Sequence, residues 1–127
     1  MNPNVLILAD PKDDISDFTS GLDRRNIEYI VFEPRPGQVF LEELERRLVG
    51  ADFFFGFISE NSDPQYERAG SLLAMDPKRL VCPMFLTNPT ENGKDGMMSG
   101  FGGRLGLDCR KGIPWDHVER ALGLKER

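Results

Sequence analysis

The chain contains a single histidine, His117, among 127 residues. That scarcity excludes a zinc site built on several imidazoles. A Ser-His-Asp triad would have to recruit His117 from a terminal helical pattern in which no partner is suggested. Cysteine is nearly as rare, and Cys82 and Cys109 alone do not make a disulfide scaffold. Cys82 sits inside an apolar run and reads as a small core residue. Cys109 precedes Arg110 and Lys111, cations that would lower its thiol pKa if it were exposed. No apolar run approaches the ~18–20 residues of a membrane helix. The opening Met1-Asn2-Pro3-Asn4 passes straight into a strand pattern, without the basic and apolar regions of a secretory leader. A cytoplasmic, non-membrane protein is expected.

Positive charge is also in short supply. Sixteen Lys and Arg against 21 Asp and Glu leave a formal net charge of -5. Nucleic-acid backbones are bound by clustered Lys and Arg. Here basic residues stand singly or in pairs (Arg24-Arg25, Arg46-Arg47, Arg110-Lys111), a solvated-surface pattern, so nucleic acid is not an expected partner. What remains is ordinary globular composition, 39% hydrophobic and 29% charged. The length suits one domain, residues 1–127, around one core.

Strand and helix patterns alternate. Asn4 to Ala9 is a short apolar run typical of a fully buried strand. Asp10-Pro-Lys-Asp-Asp14 follows as a loop whose last aspartates suit a helix cap. Ile15, Phe18 and Leu22 mark one apolar helical face. Tyr29 to Phe32 is a second strand. Phe40, Leu41, Leu44 and Leu48 mark a second helix, with Glu42/Arg46 and Glu43/Arg47 at i, i+4 on its outer face. The third strand lies in Ala51-Asp-Phe-Phe-Phe-Gly-Phe-Ile-Ser59, whose phenylalanines should reach helices on both faces. Pro64 suits the first turn of a helix through Tyr66, Ala69, Leu72 and Leu73. Leu80 to Leu86 is a fourth strand, with Pro83 at odds with a central position. A long loop rich in Gly, Asn and Asp from Asn88 to Gly103 leads to a short fifth strand at 104–107, the Gly-rich segment 93–106 having no assigned role, and Trp115, Val118 and Leu122 face a last helix. The expected fold is flavodoxin-like: three layers, α/β/α, around a five-stranded parallel sheet of order 2-1-3-4-5.

On that architecture ligands gather beyond the carboxyl ends of the strands, where Asp10 and Ser59-Glu60 become neighbours. Asp10, Asp13 and Asp14 crowd the first loop and would repel a phosphate, which disfavours a flavin phosphate site or P-loop. Gly100-Phe-Gly-Gly-Arg-Leu-Gly106 departs from GxGxxG spacing and lacks the strand–turn–helix context. No cofactor and no resident metal is assigned.

In length and element order the chain resembles response-regulator receivers. Asp10 or Asp13, Thr87 and Lys111 suit the family's acidic, hydroxyl and lysine positions. Phe57, however, stands where the resemblance wants a phosphoacceptor aspartate, which implies a phosphorylation-independent pseudo-receiver. The segment from Arg35-Pro-Gly37 through the second helix to Phe57-Ile-Ser-Glu-Asn-Ser62 resembles Toll/interleukin-1 receptor (TIR) domains. That resemblance implies a signalling module that associates with itself or another protein through Arg35, Pro36, Gly37 and Gln38. Pro64 to Gly70 is similar to a helix start in TIR-like and nucleoside-deoxyribosyltransferase-like proteins. It implies a possible nucleotide ligand, NAD or a nucleoside, whose N-glycosidic bond would be acted on by Glu67. A carboxylate there would stabilise positive charge developing on the sugar. Ser59 and Asp10 would line the ligand, and Arg35 would pair with a diphosphate. Read without the resemblance, Arg35-Pro36-Gly37 is a rigid turn and Glu67 a solvated helix residue.

Overall fold

Val5-Leu6-Ile7-Leu8 has no polar side chain, so as a strand it must be covered on both faces. A computed structural model provides that cover. It describes residues 4–32, 37, 39–48, 51–61, 75, 80–86, 99–100 and 104–124, to which every structural statement here refers. Strand β1 (Asn4–Leu8) lies between β2 (Glu28–Phe32) and β3 (Phe53–Ile58), and β4 (Leu80–Phe85) continues the sheet beyond β3. Two short strands, β5 (Ser99–Gly100) and β6 (Arg104–Leu105), form a separate antiparallel pair. Strand β7 (Leu107–Asp108) then closes the large sheet, whose order is β2-β1-β3-β4-β7 with every pair parallel. Counting only strands of that sheet, this is the expected 2-1-3-4-5 flavodoxin-like order.

Alternation along the strands sorts side chains into two cores. Helix α1 (Ser16–Arg24) and helix α3 (Trp115–Ala121) cover one face, where Phe18, Leu22 and Val118 pack with Val5, Ile7, Phe55, Phe57 and Met84. Helix α2 (Phe40–Leu48) covers the other, setting Leu44 and Leu48 over Leu6, Leu8, Phe32, Phe54 and Val81. Three layers result, and the phenylalanines of β3 serve both faces as expected. On α2 the ion pair that forms is Arg46 with Glu43, at 3.2 Å and i, i+3. Its exposed guanidinium makes it a weak contributor.

The two helices of the first face dock through one tryptophan. Trp115 stacks on Phe18, with ring centroids 5.6 Å apart and planes 15° from parallel. It leaves no room at Gly21, where a Cβ would fall 1.8 Å from Trp115 Cζ2. Arg25 lies over the indole at 3.9 Å, donates to the Gly21 carbonyl and pairs with Glu119 at 3.3 Å. The tryptophan thus contacts both an aromatic ring and a guanidinium.

Pro83 is resolved by register. Leu86 donates its N–H to Ile58 of β3, whereas the Phe85 carbonyl accepts from Cys109 on the β7 side. Backbone groups alternate along a strand, so Pro83 turns its missing donor toward β7, as Phe85 does. Pairing with β7 begins only at Met84, so no ladder bond is lost. The space beside Pro83 is taken by Gly106, where a Cβ would lie 2.6 Å from the Pro83 carbonyl and 2.5 Å from Phe85 Cε2. Two expectations are corrected here. Segment 104–107 is not one strand but the end of a hairpin and the start of β7, split at Gly106. The Gly-rich stretch includes paired backbone rather than loop throughout. Residues 64–73, where a helix was expected, lie outside the described residues.

Candidate functional site

The carboxyl ends of β1 and β3 are joined by side chains from both following loops. Asp13, in the β1–α1 loop, accepts the Ser59 hydroxyl on Oδ2 at 2.6 Å and the Asn61 amide on Oδ1 at 2.8 Å. Ser59 Oγ in turn accepts the Asn61 backbone N–H at 3.0 Å. Hydrogen bonds to an ionised carboxylate are the short, strong kind, and both oxygens of Asp13 are engaged. Asp10 bends its own turn: its Oδ1 accepts the Lys12 N–H at 2.8 Å and its carbonyl accepts the Asp13 N–H. Asp14 accepts the Ser16 N–H, a capping bond made one residue before the N-cap position, Ile15. The Ser16 side chain first, and that backbone bond second, hold the Asp14 carboxyl below its ordinary pKa.

The three aspartates therefore have separate local tasks. Their carboxylates face backbone and side-chain donors, and among the described residues no group of three or more His, Cys, Asp or Glu is placed to hold a metal. Ser59 and Asp10, both expected at a ligand site, are on the same rim, but the Ser59 hydroxyl is bonded to Asp13. Glu60 and Asn61 are exposed beside it. Phe57 stands two residues before Ser59 and is 1% exposed, with its ring edge-on to Phe18 at 5.3 Å. Glu67, Arg35, Pro36, Gln38 and Thr87 lie outside the described residues.

At the end of β7 the cysteine expectation divides. Cys82 is buried as expected. Cys109 is buried too, so the exposed, cation-activated thiol does not form. Arg110 is committed elsewhere, donating from Nε and Nη2 to the two oxygens of Asp108 at 2.9 and 2.8 Å. Those bonds, with one from the Arg110 backbone, bring the Asp108 carboxyl down to about 2. Burial, reinforced by the Asp108 charge, pushes the Cys109 thiol up to about 12. Burial first and Cys109 second push Cys82 up to about 12. At pH 8, an aromatic disulfide reagent should therefore react with neither thiol until denaturant is added, and then with both. One rapid equivalent in the native protein would contradict this. Because both folded pKa values lie above the unfolded value near 9, this contribution to stability is complete below pH 9 and is lost as pH rises toward 12.

The loop before α2 presents a different surface. Gly37 is exposed with φ +86°, and a Cβ there would meet nothing within 4 Å. Glycine is needed for the backbone angle, not for space. Two residues on, Val39 is 60% exposed while its carbonyl accepts the Glu43 N–H of the first helical turn. Sequence reasoning passed over Val39 because an apolar residue beside a helix reads as core. It also passed over the Asn61–Asp13 bond, which spans 48 residues. Among the described residues no helix is long and apolar enough to cross a membrane. Searches against family models, curated proteins and solved structures gave no match.

Proposed function

We propose that the protein is a small cytoplasmic signalling module of TIR-like type that works by contact with another protein or itself. The observation that carries this reading is Val39, 60% exposed beside a positive-φ glycine at the entrance to α2. An exposed apolar side chain whose own carbonyl is tied into the first turn of α2 contributes to binding when a partner covers it. Gly37 belongs to the Arg35–Gln38 segment that the TIR resemblance implies as the contact surface, and Val39 follows it in the chain. The inward-bonded rim supports the same reading, since Asp13 and Ser59 are joined to each other and fasten the two central strands. Two unbridged cysteines agree with a reducing compartment.

Val39→Asp tests the surface without disturbing the core. The variant should melt within about 1 °C of wild type, as surface substitutions away from special features do. It should lose at least tenfold in affinity for a partner that wild type retains. A partner held equally by both proteins would remove Val39 from the contact surface. Gly37→Ala is a poorer probe, because its strained φ would cost about 1 kcal/mol of stability as well.

A further inference from the structure

The amino ends of β1 and β2 lie at the far end of the sheet from the Asp13–Ser59 rim, and a cavity of about 730 Å³ opens there. Small-molecule sites usually measure about 300–1,000 Å³. Val5, Leu6, Ile27, Ile30 and Ala51 give this one an apolar lining. Ile30 is 52% exposed, which leaves apolar surface for a ligand to cover. Charge is divided between the two sides of the cavity. Asp23, in the last turn of α1, and Glu28, at the start of β2, stand on one side. Arg47 comes from the end of α2, shortly before Ala51 leads into β3. All three charged residues are exposed. Among the described residues neither Arg47 nor Glu28 forms an ion pair, and Asp23 accepts the Tyr29 hydroxyl at 3.4 Å.

We infer that this cavity binds a short apolar peptide with free termini, its ammonium against Asp23 and Glu28 and its carboxylate against Arg47. Two acids facing one base across an apolar floor call for a ligand with a cation at one end, an anion at the other and an apolar body between. The separation of the charges sets its length. Strand β1 lies between β2 and β3, so the two sides are about two strand spacings apart, or about 10 Å. A single amino acid carries both charges on one carbon and is too short to reach both sides. An extended tripeptide spans about 10 Å. Its peptide groups need hydrogen-bond partners once they leave water, and the side-chain amide of Asn4, at the start of β1 between the two sides, belongs to the lining. A phosphate ligand is a poorer match, because two carboxylates against one guanidinium repel a doubly negative group. The cavity uses neither Val39 nor the loop before α2, so it stands or falls apart from that contact surface.

Calorimetric titration with the tripeptide Leu-Ala-Leu tests the site, using free, N-acetylated and C-amidated forms. The free peptide should bind one to one, with a dissociation constant of about 1 mM or tighter. Acetylation and amidation should each weaken binding about fivefold, the upper range for partly exposed ion pairs. Arg47→Ala should bind the free acid and the amide equally while still rejecting the acetylated form. Asp23→Asn combined with Glu28→Gln should do the reverse, losing discrimination against acetylation and keeping it against amidation. All three side chains being exposed, these variants should keep the wild-type melting temperature. Val39→Asp should bind every form as wild type does. The absence of saturable binding at about 10 mM peptide overturns the inference. So does equal binding of all three forms by wild type, or acid–amide discrimination that survives in Arg47→Ala.

Discussion

Phe57→Asp is expected to abolish folding rather than create a phosphoacceptor. The receiver resemblance invites that substitution, but Phe57 is 1% exposed and packs edge-on to Phe18, in the cluster that includes Phe55 and Val118. Removing a buried aromatic side chain costs about 3–5 kcal/mol through lost burial and the cavity left behind. A carboxylate in its place adds a charge with no cation or donor to receive it, so it must be protonated or the core must open. Domains of this size have about 5–15 kcal/mol in total. Phe57→Asp should therefore lack a cooperative melt at pH 7 and take no label from acetyl phosphate. Phe57→Leu should fold, about 1–2 kcal/mol less stable, because it stays apolar and refills part of the volume. A folded Phe57→Asp protein with the wild-type melting temperature would show that the ring is not under α1.

Gly21→Ala carries the second large effect, with the opposite sign to helix propensity. On an open helix, alanine is favoured over glycine by about 1 kcal/mol. At Gly21 the new methyl would lie 1.8 Å from Trp115 Cζ2, far inside van der Waals contact. The indole is not free to slide away, since it stacks on Phe18 and lies against the Arg25 guanidinium. The substitution must part α1 from α3 or force Trp115 off its rotamer, a loss of about 2–3 kcal/mol. At roughly 3–6 °C per kcal/mol for a chain of this size, the melting temperature should fall by about 6–18 °C. The decisive comparison is a cycle with Trp115→Ala. With the indole gone, Gly21→Ala should become neutral or stabilising. An equal loss in both backgrounds would place the cause elsewhere than the tryptophan.

These effects show where sequence patterns carry structural information and where they do not. The apolar runs of β1 and β3 announce buried strands because they are short, continuous and bounded by polar residues. Their alternation with Phe18/Leu22 and Leu44/Leu48 helical faces leads directly to a parallel sheet and its strand order. Pro83 was harder, because a proline's cost depends on which neighbour its nitrogen faces, and that is set by register with β7. Gly106 and Gly21 are marked by backbone approach and ring contact across the fold, which composition does not encode. At the rim, the strand order brings the loops after β1 and β3 together, but their bonds are not legible in the sequence. Asp13 reads as a helix cap or a ligand residue, yet it joins Ser59, 46 positions away. Asp14 alone makes the local capping bond, since one residue decides whether a carboxylate reaches the helix or the neighbouring strand. Cys109 shows the converse: its basic neighbours suggested activation, but Arg110 turns to Asp108 and the thiol turns inward.

The contact reading is tested most directly by comparing two immobilised proteins, wild type and Val39→Asp, in an extract of the cells that make them. Retained proteins would be quantified against the same matrix, and both melting temperatures recorded. The expected result is one partner, which includes the chain itself, bound in near-stoichiometric amount by wild type and reduced at least tenfold by the substitution. Identical retention by two equally stable proteins would contradict the proposal that this exposed turn is where the protein works.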